Sequence, residues 1–555
     1  WCLKLTLLIS LIIINVKNNI IPGDEIGDGS DPDVEEEPEP QTVIVNITQG
    51  SVRGYVRDNH LPVLTFIDIP YGKYEKFGAP TEADPWPDVH DTKEHTKRCP
   101  QLDINNIHGD EDCLVLSVFR PLNINGELSV LFHIHDGNFL DGSGDFNIYG
   151  PEYFVQKDII VVLPNYRLGV LGFLCLQNKT APGNAALKDL TLALEWVKNN
   201  IAQFGGDPDR ITVSAEGQAG ALVGLLALSP KSNYLFNQAI TESGAILSPW
   251  ALDRNAAANA LKNNNLTFRP CVEEGEDGFI VNSPWEIMNE DGFYTNITFM
   301  IGSANKAGIH ETEGHTDKSI AELNDNHELL IPNDLVFRNP NVKRTAANTI
   351  KKLYFNESKI TNKTKEELAL FYTDSLYLGP SLRLARYLLK GGAVVYLYEF
   401  ACDGPRNLEK LAIKSNIPGA ARGDIIGYVF KQEELTTEED DAPNEPEIEE
   451  NEMVAISETY ENEEKVVNLL LDFWASFIIK GEPTSTQTTW SSMNSTKETL
   501  MIIGSEPKLE DSVHTHRMKV WTDLYNEHFI ERNNANNPSL TLFSILLYGA
   551  VNFIA

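Results

Sequence analysis

Short β-branched runs and amphipathic stretches alternate along most of this chain. Apolar runs at Val43–Ile47 and Val52–Val56 read as strands, and Val130–Ile134 and Ile159–Leu163 read as strands buried on both faces. Leu187 to Ile201 carries helical periodicity and stops at Phe204-Gly205-Gly206. Asp207 to Arg210 reads as a loop. Ile211–Val213 then forms a strand, followed by a turn of small residues and an apolar helix through Leu226 that ends at Ser229-Pro230. A Tyr428-Val429-Phe430 strand and a helix over Val466–Ile479 follow. Strands alternating with helices predict an α/β fold, with a large, mostly parallel central sheet flanked by helices.

The ends break this pattern. Residues 1–22 hold a Leu/Ile run from Leu3 to Ile14 that is shorter than the ~20 residues of a membrane span and resembles the core of a secretory signal with a truncated start. Residues 23–41 are rich in Pro, Glu and Asp and read as a disordered linker. Residues 531–555 combine a polar spacer with an apolar tail from Leu540. They resemble the signal for a GPI anchor, with attachment among Asn533 to Asn536.

Charge sharpens the picture. The 555 residues carry 45 Lys and Arg against 80 Asp and Glu, a net charge of −35. Asp24 to Glu39 holds 9 acids, Glu433 to Glu464 holds 15, and neither contains a Lys or Arg; without them the rest carries −11. This balance argues against nucleic acid and anionic membrane surfaces as partners. The expected partner is an extracellular or cell-surface protein of basic character, and any membrane attachment runs through the C-terminal lipid anchor. The insert 433–464 reads as a solvated arm, in which Tyr460 sits among acids in a setting suited to sulfation. Seven N-x-S/T sequons, at Asn46, Asn178, Asn265, Asn296, Asn356, Asn362 and Asn494, support an extracellular location. No cofactor or metal site is expected.

The turn at Ala215-Glu216-Gly217-Gln218-Ala219 sits between strand and helix where a G-x-S-x-G elbow would present a nucleophilic serine. No such motif occurs elsewhere in the chain. Around it stand Ile69-Pro70-Tyr71, Glu111-Asp112-Cys113-Leu114, Asn165-Tyr166-Arg167-Leu168-Gly169, Gly183-Asn184, Phe204-Gly205-Gly206-Asp207-Pro208 and Glu242-Ser243-Gly244. In order and spacing these resemble the carboxylesterase/cholinesterase family from about Thr42 to Ile530. The resemblance implies one α/β-hydrolase domain over residues 42–530, with the acidic insert 433–464 inside it. It also implies a Cys99–Cys113 disulfide. A disulfide loop usual after Trp250 is missing, so Cys271 is left without its family partner, and Cys175 and Cys402 have none assigned.

The same resemblance locates the chemistry. An esterase needs a nucleophile, a base, an orienting acid and oxyanion donors. The serine, glutamate and histidine positions read Gly217, Ala307 and Arg422, and the oxyanion loop after His135 reads Asp136, Gly137, Asn138. Glycine cannot attack a carbonyl, and arginine, always protonated, cannot act as a base. An Asp136 carboxylate pointing inward about 5 Å from the hole would oppose an oxyanion by roughly 3 kcal/mol. Ser214 is three residues early and is expected to pack on its strand. Glu311 and Glu313 read as a solvated loop. His108, His133, His310 and His315 are out of frame. The chain is therefore expected to be a pseudoenzyme. It resembles the non-catalytic glutactin-, neurotactin- and neuroligin-like branch, in its arthropod form, which implies cell adhesion or matrix interaction. Two alternatives are a binder of small apolar ligands in a retained gorge and a weak carboxylic-ester hydrolase with a displaced nucleophile.

Overall fold

The computed structural model describes residues 41–529 apart from 58–61, 103–105, 255, 257–258, 260–267, 276, 433–449 and 487, with the backbone alone at 450–461. The signal-like start, the linker, the terminal tail, Asn265 and most of the acidic insert lie outside the described residues, as does the Tyr460 side chain.

The strands are β1 (Thr42–Ile47), β2 (Gly50–Arg57), β3 (Val63–Pro70), β4 (Val115–Pro121), β5 (Leu128–Ile134), β6 (Ile159–Pro164), β7 (Gly206–Glu216), β8 (Gln238–Glu242), β9 (Thr298–Ala304), β10 (Val395–Phe400), β11 (Leu500–Ile503) and β12 (Lys508–Glu510). They pair in the order β1-β2-β3-β4-β6-β5-β7-β8-β9-β10-β11-β12, and a short strand at Val89–Asp91 lies beside β2. From β6 to β11 every pairing is parallel, while the N-terminal strands and β12 pair antiparallel. Every residue of β5, β6 and β8 is buried, as a sheet covered on both faces requires.

The main helices are α1 (Ala185–Asn200), α2 (Ala219–Leu228), α3 (Pro340–Phe355), α4 (Gly379–Lys390), α5 (Glu450–Lys480) and α6 (Thr515–His528). All ten residues of α2 are buried, which explains why it is apolar all round. The loop after β6 is pinned from within: buried Arg167 donates through Nε to Asp189 Oδ2 on α1 at 2.7 Å.

Three expectations need correction, and one pairing left open is now assigned. Tyr428-Val429-Phe430 is not a strand: Ile426–Val429 is a helical turn. The run is buried on all sides, so periodicity could not separate the two forms. Strand β7 starts at Gly206, taking in the expected loop at 207–210. The acidic insert is not a free arm throughout, because α5 begins at Glu450. Glu463 is buried and accepts from the Tyr428 hydroxyl and the Arg406 N–H, while Arg406 Nη2 donates to Glu464 at 2.7 Å. The pairing left open is that of Cys271: it is disulfide-bonded to Cys175, leaving Cys402 as a buried free thiol.

Cys99 and Cys113 are bonded as the resemblance implied, closing a loop with a sequence separation of 14. Replacing both with alanine is expected to lower stability by about 3 kcal/mol, the chain-entropy value for a loop of this size. Denaturant unfolding of the double variant checks this; an unchanged midpoint would contradict it.

Candidate functional site

Three loops converge at the C-terminal ends of the parallel strands. Strand β7 ends at Glu216, Gly217 turns the chain with φ of +58°, and α2 begins two residues later. This is the elbow conformation, and the left-handed φ suits glycine. The loop after β5 brings in Asp136, and the segment before the 426–429 helical turn brings in Arg422. Ala307 lies buried in the turn after β9.

Asp136 points inward. Its Oδ2 accepts from Arg422 Nη1 at 2.8 Å, and its Oδ1 accepts from the Ala219 N–H at 3.1 Å and the Asn138 N–H at 3.3 Å. The carboxylate therefore sits at the N-terminus of α2, where the helix dipole favours negative charge. A Cβ built on Gly217 would fall inside van der Waals contact of Asp136 Oδ2 and 2.9 Å from Arg422 Nη1. The volume a nucleophile side chain would need is occupied by the ion pair. Burial pushes the Asp136 carboxyl upward and the Arg422 charge pulls it back; the net shift is upward. Burial works against the guanidinium too, but Tyr377, Asp136 and further carboxylates outweigh it and hold Arg422 above its ordinary value.

Glu311 and Glu313 are not on a solvated loop. They lie half-buried on the short helix Ile309–Glu313; Tyr377 donates to Glu311 at 2.6 Å, and Glu313 pairs with Lys365 at 2.6 Å. Among the described residues neither is hydrogen-bonded to a histidine. His310 meets Glu409 at 3.2 Å and His315 meets the Tyr372 hydroxyl at 2.6 Å; His108 is exposed.

Sequence reasoning missed the role of His133. Parallel pairing sets His133 on β5 opposite Ser214 on β7. His133 Nδ1 lies 2.8 Å from Ser214 Oγ, and Nε2 lies 3.1 Å from Glu216 Oε2. Tyr149 donates to Glu216 Oε1 at 2.8 Å. Burial alone would raise Glu216, but His133 and these hydrogen bonds bring it below its ordinary value. Ser214 is fully buried, as expected for packing on the strand. The signal was the alternation of His133 and Ser214 with apolar residues on two adjacent strands, legible only once their register is known.

A cavity of ≈ 370 Å³ opens beside the ion pair, lined among others by Asp136, Asp141, Glu216, Glu409, Arg422 and His310. Burial, with Asp136 and Glu409 adding to it, raises Asp141 to about 6. Ile148, Tyr149, Leu408 and Ile426 share this lining with the charged groups, so the cavity is mixed in character.

The sheet order, the elbow and the loop positions define an α/β-hydrolase fold. A juvenile hormone esterase from Manduca sexta, crystallised with OTFP covalently attached, shares it with a TM-score of 0.73 at 24% identity, covering 88% of this chain and 100% of that one. The carboxylesterase family model matches residues 41–263 and 257–521, and the chain belongs to that family. It is 30% identical to esterase FE4 of Myzus persicae over 486 residues, covering 77% of this chain and 82% of that protein. It is 25% identical to neuroligin-2 of Mus musculus over 598 residues, covering 87% and 67%.

Proposed function

We propose that this chain is a non-catalytic member of the carboxylesterase family, of the arthropod adhesion-type branch, acting outside the cell through its surface. The observation that carries this reading is the Asp136 carboxylate standing in the nucleophile's volume, neutralised by Arg422. Triad members act as a unit, and what survives their loss is at best about 10³–10⁴-fold over water from oxyanion donors and binding. Here the Ala219 N–H at the start of α2 is also already taken up by Asp136.

Supporting an extracellular setting, two disulfides are present and all six sequon asparagines among the described residues are exposed. Among the described residues no helix is long and apolar enough to cross a membrane. Attachment by a lipid at Asn533–Asn536 belongs to the same proposal; release from cells by phosphatidylinositol-specific phospholipase C tests it separately. The acidic segments engage a basic partner, with an on-rate that falls as salt screens them.

The purified protein is expected to hydrolyse p-nitrophenyl acetate at the buffer rate, and Gly217→Ser alone is expected to leave it there, since the position of the base holds Arg422. Turnover well above buffer that an organophosphate abolishes would overturn the proposal. The Ser214–His133–Glu216 line favours one rival, a weak hydrolase. Loss of such turnover in Ser214→Ala would assign it to that serine.

A further inference from the structure

One segment runs against the charge of the whole chain. Between Arg338 and Lys365 there are eight Lys and Arg and a single acid, Glu357, in a protein with 45 basic and 80 acidic residues. The segment comprises α3 and the turns after it. Arg344, Asn348 and Lys352 are spaced i, i+4, i+8 and form one exposed stripe along the helix. Asn356 then turns the chain with φ of +50°, and Lys359 and Lys363 continue the basic surface, both exposed.

The acids packed against this surface neutralise part of it. Glu328 meets Lys343 at 3.5 Å and Arg344 at 3.8 Å, and Glu313 meets Lys365 at 2.6 Å. Lys352, Lys359 and Lys363 make no side-chain hydrogen bond or ion pair among the described residues. Three lysines held without counter-charges in a protein of net −35 are complementary to what the chain itself carries in excess. Residues 433–449 hold nine acids and no basic residue.

We propose that the basic face formed by α3, Lys359 and Lys363 docks the acidic segment 433–449 of a second copy of this chain. The contact rests on the surface-acting reading above and names its basic partner as the protein itself. Two different patches meet, so the contact is heterologous: one copy is left with a free acidic segment and the other with a free basic face for the next copy. Such assembly is driven by charge, forms fast, and weakens with salt over a Debye length of about 8 Å at physiological ionic strength. The exposed sequons at Asn356 and Asn362 lie between the lysines of the face, so the glycosylated protein is the one to test.

The test is sedimentation velocity of the glycosylated protein at low and high salt, with two variants. One reverses the face (Lys352→Glu, Lys359→Glu, Lys363→Glu). The other neutralises the arm by amide substitution at Glu433, Glu434, Glu438, Glu439, Asp440 and Asp441. The expected result is wild-type self-association that falls at least ~tenfold between 0.05 and 0.3 M salt. Each variant alone is expected to stay monomeric. An equimolar mixture of the two is not expected to exceed dimers, because only one complementary pair of surfaces remains. A monomeric wild type at low salt overturns the proposal, as does association that survives reversal of the face. Capture of heparin by the basic face without self-association overturns it as well, making the ligand a polysaccharide. If the chain stays monomeric while its acidic segment still captures another basic protein, the self-contact falls and the surface-acting reading stands. Esterase turnover would remove that reading without changing the sedimentation result.

Discussion

Replacing Asp136 with alanine is expected to destabilise the fold by about 3–5 kcal/mol, the usual cost of stranding one member of a buried ion pair. The Asp136 and Arg422 side chains are 15% and 11% exposed, so the guanidinium left behind would have little water to replace its partner. The Ala219 N–H at the start of α2 would lose its acceptor as well. The decisive comparison is the double variant Asp136→Ala/Arg422→Met, which removes both charges and is expected to recover most of the loss. Denaturant unfolding of the four proteins yields the coupling energy. A coupling below ~0.5 kcal/mol would mean that the pair is no more than an exposed contact.

The second large effect concerns the disulfide that sequence reading did not assign. Cys175 and Cys271 are joined across a sequence separation of 96. In the chain-entropy model a loop of this length contributes about 4.7 kcal/mol, against about 3 for the short Cys99–Cys113 loop. Replacing both cysteines with alanine is expected to lower stability by close to that amount. The surroundings add to it: Gly183 packs directly against both sulfurs, and Asn184 Nδ2 donates to the Cys271 carbonyl at 2.8 Å and to Glu273 at 2.9 Å. Thermal unfolding of the non-reduced pair variant checks the figure. A loss no larger than that of the Cys99/Cys113 variant would show that native strain or residual unfolded-state structure cancels the longer loop.

Much of the architecture was legible because local pattern and global fold agree. Val130–Ile134 and Ile159–Leu163 could hardly be anything but buried strands, and the strand–turn–helix around Gly217 forms with glycine at its turn. Tyr428 was misplaced because a short run buried on every side has no polar face to reveal its period. The Cys175–Cys271 bond was hidden because pairing depends on which loops fold together, and spacing alone does not encode that. At the site, the residue types put Gly217 and Arg422 where the resemblance expects a serine and a histidine. They could not show that the intruding aspartate and the intruding arginine meet, since 286 positions separate them. Contacts of that range are decided by sheet topology, as is the pairing of His133 with Ser214.

The ion pair over Gly217 also acts as a ratchet. Restoring a serine at 217 first would drive its Cβ into Asp136. Clearing Asp136 first would strand Arg422, and changing Arg422 first would leave the carboxylate buried without its counter-ion. Each single change is expected to cost stability that changing the pair together would spare. Positions 136, 217 and 422 therefore behave as one unit, and the effect of a substitution at any of them is expected to depend on what stands at the other two.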